Sequence, residues 1–201
     1  MAPRLLLPLA LLLATGCARS LFGRGEPFKP WPEPAAGVVA EERGETLVLH
    51  PPAGLGPPRV LLFLHGFASS PRQYRFTLEQ LAARGYLVHA PTLPDYVILR
   101  AGYHQAVLEA AQAAYDAAAL EAASLKAPAP VVVGYSMGGG AALLVGAYRG
   151  RPTVVWAPVP LDLTLPGPSA PLLVLVADSD CVARERPVEL VRLLGSRADS
   201  A

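Results

Sequence analysis

The chain has 201 residues, 52% of them hydrophobic and 16% charged, with a formal net charge of +1. That length suits a single domain with a sizeable core. The near-neutral balance lacks the basic excess or basic stripe of a nucleic-acid-binding protein, so no nucleic-acid partner is expected, and the chain is read as a monomer.

The first residues read as an export signal rather than as part of a fold. Arg4 supplies a positive charge, Leu5 to Leu13 is an apolar run broken by Pro8, and Ala14-Thr15-Gly16-Cys17 follows. A charged start, a short apolar stretch and small residues are the layout of a secretory signal over residues 1–16. The run is too short to span a bilayer, which needs about 20 apolar residues. Cys17 directly after small residues resembles the lipobox of bacterial lipoproteins, with Ala14 where Leu is usual. The resemblance implies cleavage before Cys17, lipid on its thiol and on the new amino terminus, and membrane anchoring on the periplasmic or cell-surface side. Several acyl chains make a stable anchor where one does not. The plainer alternative is an ordinary signal with an incidental cysteine. Cys181 is the only other cysteine, so lipidation of Cys17 would leave no intrachain disulfide, whereas an unmodified Cys17 could pair with it.

Residues 17–37 are rich in Gly, Pro and charge; Lys29-Pro30-Trp31-Pro32-Glu33-Pro34 can form neither helix nor central strand and reads as a tether. Residues 38–201 form the folded domain, in which strand and helix patterns alternate. Glu45 to His50 is a short strand ended by Pro51-Pro52, and Arg59 to Leu64 is a nearly unbroken apolar run, as in a strand buried on both faces. Pro71 to Arg84 is a helix closed by Gly85, and Tyr86 to Ala90 a strand. Gly102 to Leu125 is an Ala-rich helix, Val131 to Val133 a β-branched strand, and Met137 to Tyr148 a helix lined with small residues. Val154 to Trp156 and Leu172 to Ala177 are strands, and Arg186 to Leu194 a last helix with Pro187 in its first turn. Such alternation predicts an α/β fold: a mostly parallel sheet with helices on both faces.

The strongest chemical signal is Gly134-Tyr135-Ser136-Met137-Gly138, set between a β-branched strand and a small-residue helix. A Gly-x-Ser-x-Gly motif in that context is a nucleophile elbow. The turn is tight enough to strain Ser136, and flanking side chains would collide with the neighbouring strand and helix, a demand that Gly134 and Gly138 meet. Glycine-rich turns also follow strands in nucleotide-binding folds, but no Gly-x-Gly-x-x-Gly or Gly-Lys-Ser/Thr is present.

With Leu64-His65-Gly66-Phe67, then Gly85-Tyr86-Leu87-Val88 and Pro91, then the elbow, Arg59 to Ala201 resembles the α/β-hydrolase superfamily, closest to its dienelactone-hydrolase and bacterial cutinase-like branches. The resemblance implies a three-layer α/β-hydrolase sandwich and a serine esterase working through an acyl-enzyme at Ser136. It also implies an oxyanion hole from the Met137 and Phe67 backbone N–H groups, with His65 stabilising the loop rather than acting as base. The chain order Ser…Asp…His of these enzymes and the small Ala177 three residues earlier select Asp180 as acid, with Asp178 second. The plainer alternative is a pair of solvated turn aspartates.

The base is the gap in the pattern. It should lie on a loop after one more strand past the acid, but His50, His65, His89 and His104 all precede the elbow, and the family's last strand and helix have no counterpart before Ala201. Three explanations stand: a C-terminal truncation, His104 serving as substitute base at the start of its helix, or a hydrolase-fold lipoprotein that binds without turnover. No metal-ligand spacing appears, and no cofactor is implied. Little chain separates Trp156 from Leu172, and Pro158, Pro160, Pro166 and Pro168 suggest a rigid, shallow rim, suited to small or surface-exposed esters. Trp156 either lines that cleft or packs in the core.

Overall fold

Successive residues of the central strands pack on opposite faces of the sheet, and both faces are covered. In β3 (Arg59–Leu64) every residue after Arg59 is buried. Leu61 and Phe63 pack on one face with Leu78 and Ala82 of helix α1 (Arg75–Ala82). Leu62 and Leu64 pack on the other with Val107 and Ala111 of α2 (Tyr103–Ser124) and Ala141 and Leu144 of α3 (Met137–Arg149). A strand covered on both faces has no polar side to offer, which is why its sequence reads as a continuous apolar run. Each fully buried Leu or Phe contributes about 1.5–3 kcal/mol. The result is a sheet between two helical layers.

This computed structural model describes residues 35–94, 102–159, 161, 167 and 169–175. The expected signal, Cys17, nearly all of the tether, Asp178, Asp180, Cys181 and the helix expected over Arg186–Leu194 lie outside the described residues.

Seven strands form one sheet in the order β1-β2-β4-β3-β5-β6-β7, where β1 is Val39–Arg43, β2 Thr46–His50, β4 Tyr86–Pro91, β5 Val131–Tyr135, β6 Thr153–Trp156 and β7 Leu172–Leu175. β1–β2 and β2–β4 pair antiparallel; β4, β3, β5, β6 and β7 are mutually parallel. The sheet is therefore mixed but mostly parallel, and the expected α/β class holds. Two local differences from the sequence reading have simple causes. β1 was not expected, because all five of its residues are exposed and no alternation marks it; its Glu41, Glu42 and Arg43 suit an edge strand that must avoid pairing with other chains. The helix expected from Pro71 begins instead as a 3-10 turn over Pro71–Tyr74, with the Ser70 N–H donating to Gln73 Oε1 at 2.8 Å, before α1 starts at Arg75.

α2 lays Tyr103, Val107, Ala111, Tyr115, Ala118 and Ala122 against the sheet at three- and four-residue intervals. Opposite its C-terminal half, His89 of β4 is buried, with Nε2 3.3 Å from Glu121 Oε2. Arg43 and His50 are the other charged or titratable groups acting on it. Burial, the larger effect, pushes the His89 pKa below 6.5, against the opposing pull of Glu121. The unfolded chain then binds more protons than the folded one once the pH drops below that value, so stability falls on acidification and is fully present above it. The thermal midpoint is therefore expected to decline as the pH is lowered from about 6.5, and the decline to be shallower in His89→Phe. Equal slopes for the two proteins would refute the assignment.

Candidate active site

Ser136 joins the end of β5 to the start of α3 with φ 53° and ψ −121°, outside the regions that a residue with a side chain ordinarily adopts. Such a conformation costs about 1–3 kcal/mol and persists only where its surroundings hold it. Three backbone bonds do so. The Ser136 N–H donates to Trp156 O at 3.2 Å, and the Ser136 carbonyl accepts from the N–H groups of Gly140 at 3.1 Å and Val159 at 2.9 Å. The space beside the turn is equally constrained. A Cβ on Gly134 would collide with the Gly138 carbonyl and Ala142, and one on Gly138 with the carbonyls of Leu64 and His65. Ser136 itself is half-buried, and among the described residues none hydrogen-bonds its hydroxyl.

The loop after β3 is seated on this turn. A Cβ on Gly66 would lie 3.0 Å from the Tyr135 ring and 3.3 Å from Ser136 Cβ, so any larger residue would push these side chains aside by a few tenths of an ångström. His65 braces the loop from within. It is completely buried, and the Leu93 N–H donates to its Nε2 at 2.8 Å. A backbone N–H can only donate, so Nε2 is the acceptor and the ring proton sits on Nδ1. That Nδ1–H donates to the Gly66 carbonyl at 2.7 Å, which also accepts from Ser69 Oγ at 2.7 Å. Next in the chain, Phe67 is 45% exposed and Ala68 has φ 52°. Met137 opens α3, and its N–H is among the first four of a helix, which have no intrahelical acceptor.

The four histidines are thus placed as follows. Both ring nitrogens of His65 are engaged in the loop, His50 Nε2 contacts Glu41 Oε2 at 3.0 Å, and His89 faces Glu121 from β4. His104 is the second residue of α2, half-buried, with its ring 5.5 Å from that of Tyr103. The Tyr103 hydroxyl contacts Met137 Sδ, which joins the start of α2 to the elbow. Nothing in the sequence pointed to this contact: a tyrosine after a turn glycine has no distinguishing pattern. Nor did it reveal the Leu93 N–H as partner of His65, since that bond links residues 28 apart. Trp156 is half-buried in an aromatic cluster, stacked 5.7 Å from Phe63 and tilted against Tyr135 at 5.6 Å, and Tyr135 in turn lies 5.9 Å from Tyr74. The packing role weighed for Trp156 is therefore real, and its backbone carbonyl also holds Ser136.

A mostly parallel sheet between helical layers, with a strained serine on the turn from a central strand into a helix, defines the α/β-hydrolase class. The sequence pattern of the alpha/beta hydrolase family matches residues 61–199, more than half of the chain, and the chain belongs to that family. A protein from Klebsiella pneumoniae subsp. pneumoniae MGH 78578, named as a candidate dienelactone hydrolase, is similar in structure with a TM-score of 0.63 at 19% identity, covering 81% of this chain and 82% of its own. TT1662 from Thermus thermophilus has a TM-score of 0.58 at 23% identity, with 78% and 84% covered. A phospholipase/carboxylesterase from Dyadobacter fermentans has 0.57 at 14% identity, with 80% and 85% covered. At these identities the likeness is one of fold. No curated protein matches the chain.

Two substitutions test the brace and the fit. Gly138→Ala drives a methyl group into backbone atoms that cannot swing aside, so it is expected to destabilise the protein by about 2 kcal/mol or more in chemical denaturation. His65→Ala leaves the Leu93 N–H without its acceptor and is expected to cost about 1–3 kcal/mol. A loss within about 0.5 kcal/mol of zero, typical of neutral surface changes, would contradict either role.

Proposed function

We propose that this protein is a serine esterase that cleaves carboxylic esters through an acyl-enzyme at Ser136. The observation that carries the reading is the left-handed strain of Ser136 at φ 53°, between a strand and a helix, in a member of the hydrolase family. Ser136 Oγ attacks the ester carbonyl as its proton passes to a base. Negative charge gathers on the carbonyl oxygen, where the N–H groups of Met137 and Phe67 receive it; one such donor is commonly worth about 3–4 kcal/mol. The intermediate collapses, the alcohol leaves with a proton from the base, and water then releases the acid by the same steps reversed in role. Asp180 orients the base. His104 is proposed as that base within the present sequence because it stands at the start of α2, the end of the helix that meets the elbow through Tyr103, while His65 is committed to the loop. Anchoring through lipid on Cys17 is part of the same proposal and rests on the lipobox resemblance. The short run of chain between Trp156 and Leu172 favours small or surface-exposed esters.

A second reading, binding without turnover, is favoured by one observation: no described residue hydrogen-bonds the Ser136 hydroxyl. A fluorophosphonate probe and a short-chain nitrophenyl ester separate the two. The esterase reading expects labelling of Ser136 and hydrolysis that falls by about three orders of magnitude or more in Ser136→Ala. His104→Ala is expected to fall comparably. A folded wild-type sample silent in both assays would leave the binding reading instead.

A further inference from the structure

We propose that Ser69 is a positioning residue of the oxyanion hole, whose hydroxyl fixes the plane of the peptide between Gly66 and Phe67 and so aims the Phe67 N–H at the ester oxygen. This role rests on the esterase reading above and adds to it a residue that no sequence motif marks. Ser69 is half-buried, between the exposed Phe67 and Ala68 on one side and the 3-10 turn at Pro71 on the other.

The loop is held by side chains rather than by its own backbone. Among the described residues, residues 66–69 make no backbone–backbone hydrogen bond. The Gly66 carbonyl instead takes two side-chain donors, the His65 Nδ1–H and the Ser69 hydroxyl, each at 2.7 Å, and so fills both of its lone pairs. The hydroxyl has a single proton, and the Gly66 carbonyl receives it. Across the 3.3 Å contact with Ser69 Oγ the donor is therefore the Tyr74 hydroxyl. The His65 Nδ1–H also lies 3.3 Å from that oxygen, so the direction of the Ser69 O–H is set by its neighbours. Ala68, at φ 52°, is in the left-handed region and turns the chain back, so that Ser69 reaches a carbonyl three residues earlier. Such strain persists only where the surroundings hold it, and the Ser69 bond closes this turn.

A trans peptide is planar, and its C=O and N–H point in opposite directions. No described peptide bond is cis. Whatever orients the Gly66 carbonyl therefore orients the Phe67 N–H. With the carbonyl drawn toward Ser69 and the buried His65 ring, the N–H faces away from both. The loop itself lies against the nucleophile's turn, since a Cβ on Gly66 would stand 3.3 Å from Ser136 Cβ. The two donors to Gly66 differ in what else they do. His65 is fully buried and also accepts from the Leu93 N–H, so its removal harms the fold. The described partners of Ser69 all lie within residues 65–74, so its removal lets the peptide swing while the sheet and helices keep their contacts. A swing is enough to matter, because a donor stabilises the oxyanion only from hydrogen-bonding distance.

The test is Ser69→Ala, with two readouts taken where near-ultraviolet circular dichroism shows the variant folded as the wild type. The first is the carbonyl carbon resonance of Gly66, which is expected to move upfield as the carbonyl loses one of its two donors. The second is hydrolysis of a short-chain nitrophenyl ester. There kcat is expected to fall about tenfold or more with KM unchanged within about twofold, the pattern of an interaction made only in the transition state. An unmoved Gly66 resonance overturns the role of Ser69. So does an unchanged kcat, or a loss carried by KM alone, in an enzyme that Ser136→Ala silences; each of these leaves the esterase reading standing. A folded wild-type protein silent toward the ester overturns the esterase reading itself, and the oxyanion role of Ser69 with it.

Discussion

Contact between two backbones governs this molecule. The first turn of α3 lies so close to the end of β3 that Gly138 abuts the Leu64 and His65 carbonyls, with no room for a single carbon between them. That approach fixes the start of α3, and with it the bonds from Gly140 and Val159 to the Ser136 carbonyl. If the helix stood a methyl group further out, those bonds would lengthen, and of the three that hold Ser136 only its N–H bond to the Trp156 carbonyl would remain. The strain at Ser136 is thus a consequence of packing around it, and its cost is met by the buried layers on either face of the sheet.

The loop after β3 depends on the same contact from the other side. Gly66 rests on Tyr135 and Ser136, and His65 ties its carbonyl to the backbone beyond β4 through one neutral imidazole. A protonated ring would be unable to accept from Leu93, and a reversed tautomer would leave Gly66 without its donor. One residue therefore sets the relative position of segments that follow two adjacent parallel strands. This is why His65, although adjacent in sequence to the residues assigned to the oxyanion hole, is unsuited to shuttle protons: both of its nitrogens already hold the loop.

How much of this was legible in the sequence follows from where each constraint resides. β3 and the elbow were legible because their demands are local. A strand buried on both faces excludes polar residues, and a turn against a helix excludes side chains at Gly134 and Gly138. β1 was invisible because an exposed edge strand obeys no burial pattern. The partner of His65 and the contact of Tyr103 with Met137 were invisible because each joins residues about thirty positions apart, where only the fold decides proximity. The proposed acid and base belong to this second kind. A nucleophile is announced by its turn, whereas an acid or a base needs only a loop that reaches the right place, and such a loop leaves little trace in residue order.

The composition of α2 shows how one local preference has distant effects. Its alanines give a long helix high intrinsic propensity, and over 22 residues it extends about 33 Å across the sheet. At its start Tyr103 is large enough to reach Met137 beside the elbow. Toward its end Ala118 and Ala122 are small enough to lie flat on Val48, Val60 and Leu87. The same shortness has a further consequence at the helix flank. Beside Ala114 and Ala117 a groove of about 700 Å³ opens along β2 and β4, and next to it His89 Nε2 stands 3.3 Å from Glu121 Oε2 of the same helix. Helix propensity and close packing on the sheet thus favour the same small residue, and the consequence is a groove rimmed by Leu120, which is 75% exposed.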